Sequence, residues 1–390
     1  MTSVRVIKMN ARPFRVLLAS LTLIVLSACS SSGGTLPEPT TLNSFEPQLE
    51  LVNHWSMSVG EGANVGGGST LKPVLLENAV FAASGKQLTS FSLEAGQVNW
   101  SIELEERITA GIGYVNEQLF VASRDGKLMA LSSSDGSILW QVNASSEALA
   151  SPQANSQIVV LQTVDGKVSA YATEDGKFQW SYAASLPSLT LRGTSTPVIN
   201  ETYTYVGFAN GKLVALDNQT GGVVWQKVIA TTKGRSETER LADIDGALVL
   251  IDGLLYVTSY QGSIAAIDAL TGSIIWQQPA SSVSGATLVG GAVLIVDAQD
   301  VIVAYDKDLG LVLWQNDSLK HRSLSSPMGL DNQVLVVDAQ GYAHVLQLKD
   351  GDFLGRQKLS IKDARIGSQS YQDTIFLLSQ DGRLIRLGLK

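Results

Sequence analysis

Few side chains in this sequence could carry covalent or metal chemistry, and their spacing narrows the choice further. Cys29 is the only cysteine among 390 residues, so neither an intramolecular disulfide nor a cysteine-based zinc site is available. His54, His321 and His344 lie far apart in the chain, which gives no support to a histidine metal cluster. Asp125, Asp165 and Asp381 each precede a glycine, a pairing that suits hairpin turns better than calcium ligands. What remains is recognition chemistry. Arg192 follows Leu189 and Leu191, and Asp243 and Asp245 stand beside Leu241 and Ile244. Both stretches put charge and apolar surface together, where a merely solvated connection would be polar.

The elements that must position these stretches are set by a repeat. Asn210 to Trp225 reads as turn, strand, turn, strand, with Asn210-Gly211 predicting a type I′ hairpin. The same pattern recurs at Asp125 to Trp140, Asp165 to Trp180 and Gln261 to Trp276, with weaker copies elsewhere. The seven tryptophans are separated by 45, 40, 40, 45, 51 and 38 residues, and Gly355 stands 41 beyond Trp314. Four antiparallel strands at such a period predict an all-β fold, an eight-bladed β-propeller. The last copy stops at Lys390 without its Trp strand, and Trp55 lies in a strand with no inner strands before it. The N-terminal strand is therefore expected to complete the C-terminal blade. Pro152, Pro197 and Pro327 suit the start of innermost edge strands, where no ladder donor is needed.

Within this frame the tryptophans are structural. One indole per blade, with a glycine four residues upstream, is what stacking one blade on the next requires. Gly355 replaces Trp in the seventh copy, which predicts the weakest junction there. The gaps of 45 and 51 exceed the norm, and their surplus falls in 183–193 and 230–245. These are the stretches that carry Arg192 and the two aspartates. They follow consecutive blades and so should lie side by side on one rim.

Net charge is -8, and residues 1–28 hold four basic residues and no acids, leaving -12 on the remainder. That balance argues against nucleic acid and against direct electrostatic docking on anionic lipid. Residues 1–28 read as a secretory signal, with Lys8, Arg12 and Arg15 before an apolar core from Val16 to Leu26 that is too short for the ~20 residues of a membrane-spanning helix. Residues 29–48, rich in Ser, Gly, Pro and Thr, read as a flexible tether, and 49–390 as the propeller.

Two resemblances add to this reading. Leu26-Ser27-Ala28-Cys29 resembles the bacterial lipobox, which implies a lipid on Cys29. Ser30 in place of Asp after it implies sorting to the outer membrane, with the protein facing the periplasm. Ala215 to Trp225 and Ala266 to Trp276, both Ala-x-Asp-x-x-Thr-Gly-x-x-x-Trp, resemble the tryptophan-docking repeat of the quinoprotein propellers. Lipobox, repeat and acidic surface together resemble the BamB family, lipoproteins of the outer-membrane β-barrel assembly (BAM) complex.

That resemblance implies a monomeric propeller without catalysis, cofactor or metal. It implies a scaffold that binds the POTRA domains of the BamA barrel subunit and promotes assembly and insertion of outer-membrane proteins. It carries over Leu189, Leu191, Arg192, Asp243 and Asp245 as partner contacts. The residues alone leave open whether Arg192 pairs internally with Asp243 or Asp245. Unfolded outer-membrane proteins are a further candidate partner that no residue singles out. The alternative from the same repeat is a quinone-dependent dehydrogenase. Against it, the chain lacks the cysteines for that group's vicinal disulfide, and no calcium-ligand set falls in phase across the blades.

Overall fold

The computed structural model describes residues 37–62, 71–191, 193–231, 236, 241–361 and 367–390. Among these residues every regular element is a β-strand, and the strands form eight four-stranded antiparallel sheets. The expected eight-bladed propeller is therefore the observed one. Blade 4 is representative, with Val198–Ile199, Tyr203–Gly207, Lys212–Asp217 and Val223–Val228 running from the inside of the ring outward. Its second and third strands are buried along most of their length because both sheet faces pack on neighbouring blades. The inner strands of blades 3, 4 and 7 begin directly after Pro152, Pro197 and Pro327.

The turn at Asn210-Gly211 departs from expectation. It is a four-residue loop from Phe208 to Gly211 in which only Gly211, at φ 72°, is left-handed. That is a type I turn closed by a glycine bulge, and not type I′. The neighbouring chain explains the difference. The Ile229 amide donates to the Gly211 carbonyl at 2.8 Å, and a side chain on Gly211 would meet the Ala230 carbonyl at 2.2 Å.

Each tryptophan reaches into the next blade. Trp180 Nε1 donates to the Asn218 carbonyl at 2.7 Å, Trp225 to Ala269 at 3.0 Å and Trp314 to Leu348 at 2.7 Å. Trp55, Trp100, Trp140 and Trp276 do the same. The receiving surface is the turn glycine of the next blade. Gly221 packs on Trp180, Gly272 on Trp225 and Gly351 on Trp314, each close enough that a Cβ would collide with the ring. A register shift at the residue before each Trp swings the indole toward its neighbour. The same bulge leaves Val224, Ile275 and Leu313 exposed.

Leu51–Ser58 pairs with Arg383–Leu389 and supplies the outer strand of blade 8, closing the ring as the sequence predicts. The junction between blades 7 and 8 is closed by other means than an indole. The carbonyl of Leu49 lies where a side chain on Gly355 would be, at 2.6 Å. Leu49 and Leu51 join the cluster around Leu354, Ile375 and Leu387 there, while Phe45 stacks, with ring centroids 5.6 Å apart, on Phe353, which packs on the Trp314 cluster between blades 6 and 7. Bonding to the propeller thus begins before the expected boundary at 49: the compact unit starts at Pro39, and the Thr40 amide donates to the Lys320 carbonyl at 3.1 Å. Backbone groups and a few scattered side chains, Leu42, Phe45 and Leu49, make these contacts, which a Ser/Pro/Thr composition does not announce.

Candidate docking site

The two long connections run from the outer strand of one blade to the inner strand of the next, 184–197 between blades 3 and 4 and 229–248 between blades 4 and 5. They meet, as expected of neighbours on one rim. The Leu191 amide donates to Asp243 Oδ2 at 2.5 Å across 52 residues of sequence. Asp245 lies against Gly193, whose added Cβ would stand 3.0 Å from the carboxylate. A cleft between the loops is lined by Leu186, Thr190, Gly193, Phe208 and Asp245.

The second loop is held by the turns of two blades. The Tyr260 amide of blade 5 donates to the Asp243 carbonyl at 2.9 Å, and the Ile244 amide donates to the Phe208 carbonyl of blade 4 at 3.3 Å. Ile244 is fully buried and fills the space above Gly207, where a Cβ would fall 2.3 Å from it. Asp243 and Asp245 are therefore fixed on either side of a buried anchor.

The sequence-predicted residues take distinct places. Leu189 is 40% exposed, Leu191 and Asp245 are half-buried, and Asp243 is 1% exposed. Arg192 and Cys29 lie outside the described residues. Burial raises the Asp243 carboxyl above its usual range, and the Leu191 and Ala242 amides offset part of that rise. Burial and the nearby Asp243 charge push Asp245 up to about 7. Asp243 Oδ1 is buried and accepts no hydrogen bond from the described residues. The site thus presents an exposed leucine beside the half-buried Asp245 carboxyl, which can meet an N–H donor or a cation on a partner, while Asp243 lies buried behind them.

Sequence reasoning missed Ile244, Phe208 and Tyr260 as the residues that fix the loops. Ile244 could have been found as the apolar residue between two acids in a loop.

Among the described residues no three His, Cys, Asp or Glu side chains are grouped to hold a metal ion.

Comparison with known proteins places the fold and the family. A family model described as outer membrane protein assembly factor BamB matches residues 84–316 and 252–385. An outer membrane protein assembly factor BamB of Pseudomonas aeruginosa is 42% identical over 369 residues, covering 94% of this chain and 97% of the relative. The crystal structure of BamB from Moraxella catarrhalis superposes with TM-score 0.78 at 26% identity, covering 87% of this chain and all of that one. A quinohemoprotein alcohol dehydrogenase from Comamonas testosteroni shares the fold alone, with TM-score 0.65 at 12% identity over 87% of this chain and 76% of its own.

Proposed function

The chain belongs to the BamB family of outer membrane protein assembly factors, and from that membership we propose that it is a non-catalytic scaffold of the β-barrel assembly machinery. In this reading Cys29 carries the lipid that holds it on the periplasmic face of the outer membrane. The loops around Leu189 and Asp243 dock the POTRA domains of BamA.

The observation that carries the docking site is the Leu191–Asp243 hydrogen bond. It makes one platform of two loops from consecutive blades, and a pre-formed platform binds at lower entropic cost than two separate loops. Roles then divide by exposure. Leu189 offers apolar contact, while Asp243 is a positioning residue that acts through Leu191. Asp245 and Arg192 supply the charged contacts.

Co-purification with BamA from solubilised outer membrane tests this. Leu189→Ala is expected to weaken binding by about 1–2 kcal/mol and Arg192→Ala by about 2 kcal/mol or more, with thermal stability unchanged. Asp243→Ala is expected to lower both binding and stability, since it removes a buried support. Wild-type recovery of BamA with both Leu189→Ala and Arg192→Ala overturns the site.

A further inference from the structure

Outside the docking loops, a group of buried ionisable side chains gathers, among the described residues, at blade 7 and the connection leading into it. Arg322, Asp338 and His344 are at most 5% exposed. Arg322 Nε and Nη2 lie 2.8 and 2.7 Å from Asp338 Oδ2, and Nη2 also donates to Gln340 Oε1. Arg356 Nε donates to His344 Nδ1 at 3.0 Å, so Nδ1 is the acceptor nitrogen and Nε2, 3.1 Å from Asp338 Oδ2, carries the proton. Each arginine also reaches out through its Nη1, and both reach the same stretch of chain. Arg322 Nη1 donates to the Thr40 carbonyl at 2.7 Å, and Arg356 Nη1 to the Asn43 carbonyl at 2.8 Å.

The rest of that stretch is held as well. Leu42 packs on the cluster of Trp314 and Leu319. Arg356 lies over the Phe45 ring at 4.9 Å. The Gln48 and Leu49 amides donate to the Leu354 carbonyl at 2.7 and 3.0 Å. Two arginines oriented through a shared aspartate and a histidine form a built seat for an extended backbone.

The direction of the stretch follows from its contacts. In each blade the turn between second and third strands shares a rim with the outer-to-inner connection, as the bond between Ile229 and Gly211 illustrates. Thr40 is bound by the connection between blades 6 and 7 and by Arg322, which contacts the second-to-third turn of blade 7 at Asp338 and Gln340. Phe45 meets Phe353, at the opposite end of the outer strand. The chain therefore enters at the rim that carries the docking loops and descends the blade before turning back into Leu51–Ser58.

We propose that residues 39–48 are a strap, latched by Arg322 and Arg356, that brings the lipid-bearing end of the chain out on the rim carrying the docking loops and so turns that rim toward the membrane. The proposal rests on lipid attachment at Cys29. Pro39 stands ten positions after Cys29, a reach of roughly 35 Å at full extension, so the anchored rim stays near the bilayer.

The test uses full-length lipid-modified protein on liposomes containing nitroxide-headgroup lipid, with a fluorophore on one introduced cysteine. Ala298→Cys lies in the second-to-third turn of blade 6, on the docking rim, and Ala95→Cys lies on the opposite rim in the turn before the outer strand of blade 1. Stronger quenching at 298 than at 95 is expected, and the double variant Phe45→Ala/Arg356→Gln is expected to lose the difference. Equal or reversed quenching, or a difference that survives in the double variant, overturns the proposal.

Hydrogen exchange on a soluble Cys29→Ser form reads the latch without the lipid. The Thr40, Gln48 and Leu49 amides are expected to be protected and to exchange about tenfold faster in the double variant. Unprotected amides in the parent overturn the latch even where anchoring holds. An unmodified Cys29 by intact mass, with no flotation on liposomes, overturns the anchoring on which the proposal rests.

Discussion

Asp245 is a carboxylate held in a half-dehydrated place beside a second acid, and that state has a signature in pH. Its carboxyl is raised to about 7 by burial and by Asp243. A raised carboxyl contributes stability that is present below the unfolded value, about 4, and is lost as pH rises through about 7. Asp245→Asn should therefore raise the melting temperature by about 2 °C or more near pH 8 and leave it unchanged near pH 4. The same variant should bind BamA less well if Asp245 is a contact. A uniform gain at all pH values would remove the titration argument. Asp338 has the opposite sign. Burial alone would raise it, but His344, the Tyr342 amide and Arg322 together hold it below its usual range. Its contribution is present above about pH 4 and fades as acid protonates it. Neither state was legible in the sequence. The bond between Leu191 and Asp243 spans 52 residues, and no local pattern announces it. The signal for the blade 7 cluster was His344, standing in a strand where the repeat elsewhere places small or apolar residues.

At the level of elements, the pairing of an indole with a glycine on the next blade is the repeating joint. Trp180→Ala should cost about 3–5 kcal/mol. Gly221→Ala should cost about 1–3 kcal/mol, because the glycine has φ 70° and its Cβ would fall 2.7 Å from the Trp180 ring. Denaturant unfolding of each single variant and of the pair measures this, and the pair should lose less than the sum, since one contact is removed twice. This joint was readable because residue spacing alone carries it: a Trp recurring at a blade period and a glycine four residues before it. The bulge before each Trp was less readable, since Val224, Ile275 and Leu313 look like strand interior and are exposed. The Asn210-Gly211 turn differed from expectation because its geometry is fixed by Ile229 and Ala230, outside the hairpin.

For the whole molecule, blade count and closure followed from the repeat, whereas the means of closing the seventh junction did not. Gly355 suggested a weak seam. The chain leading into Leu51–Ser58 fills it with the Leu49 carbonyl and the side chains of Leu49 and Leu51, while Phe45 and the two arginines seat the strap on the blade 6 side of blade 7. Deleting residues 39–48 should uncover the outer strand of blade 7, with the amides of Phe353–Lys358 exchanging faster while those of blade 4 are unchanged. Equal protection in both blades after the deletion would show that the strap does not cover that strand. The pairing of Leu51–Ser58 with Arg383–Leu389 has a temporal consequence as well. A chain made from its N-terminus holds this strand unpaired until almost every other residue has appeared. The ring is then sealed by the most sequence-distant contact in the fold, the kind that forms slowly. Until that moment the described blades form an open arc.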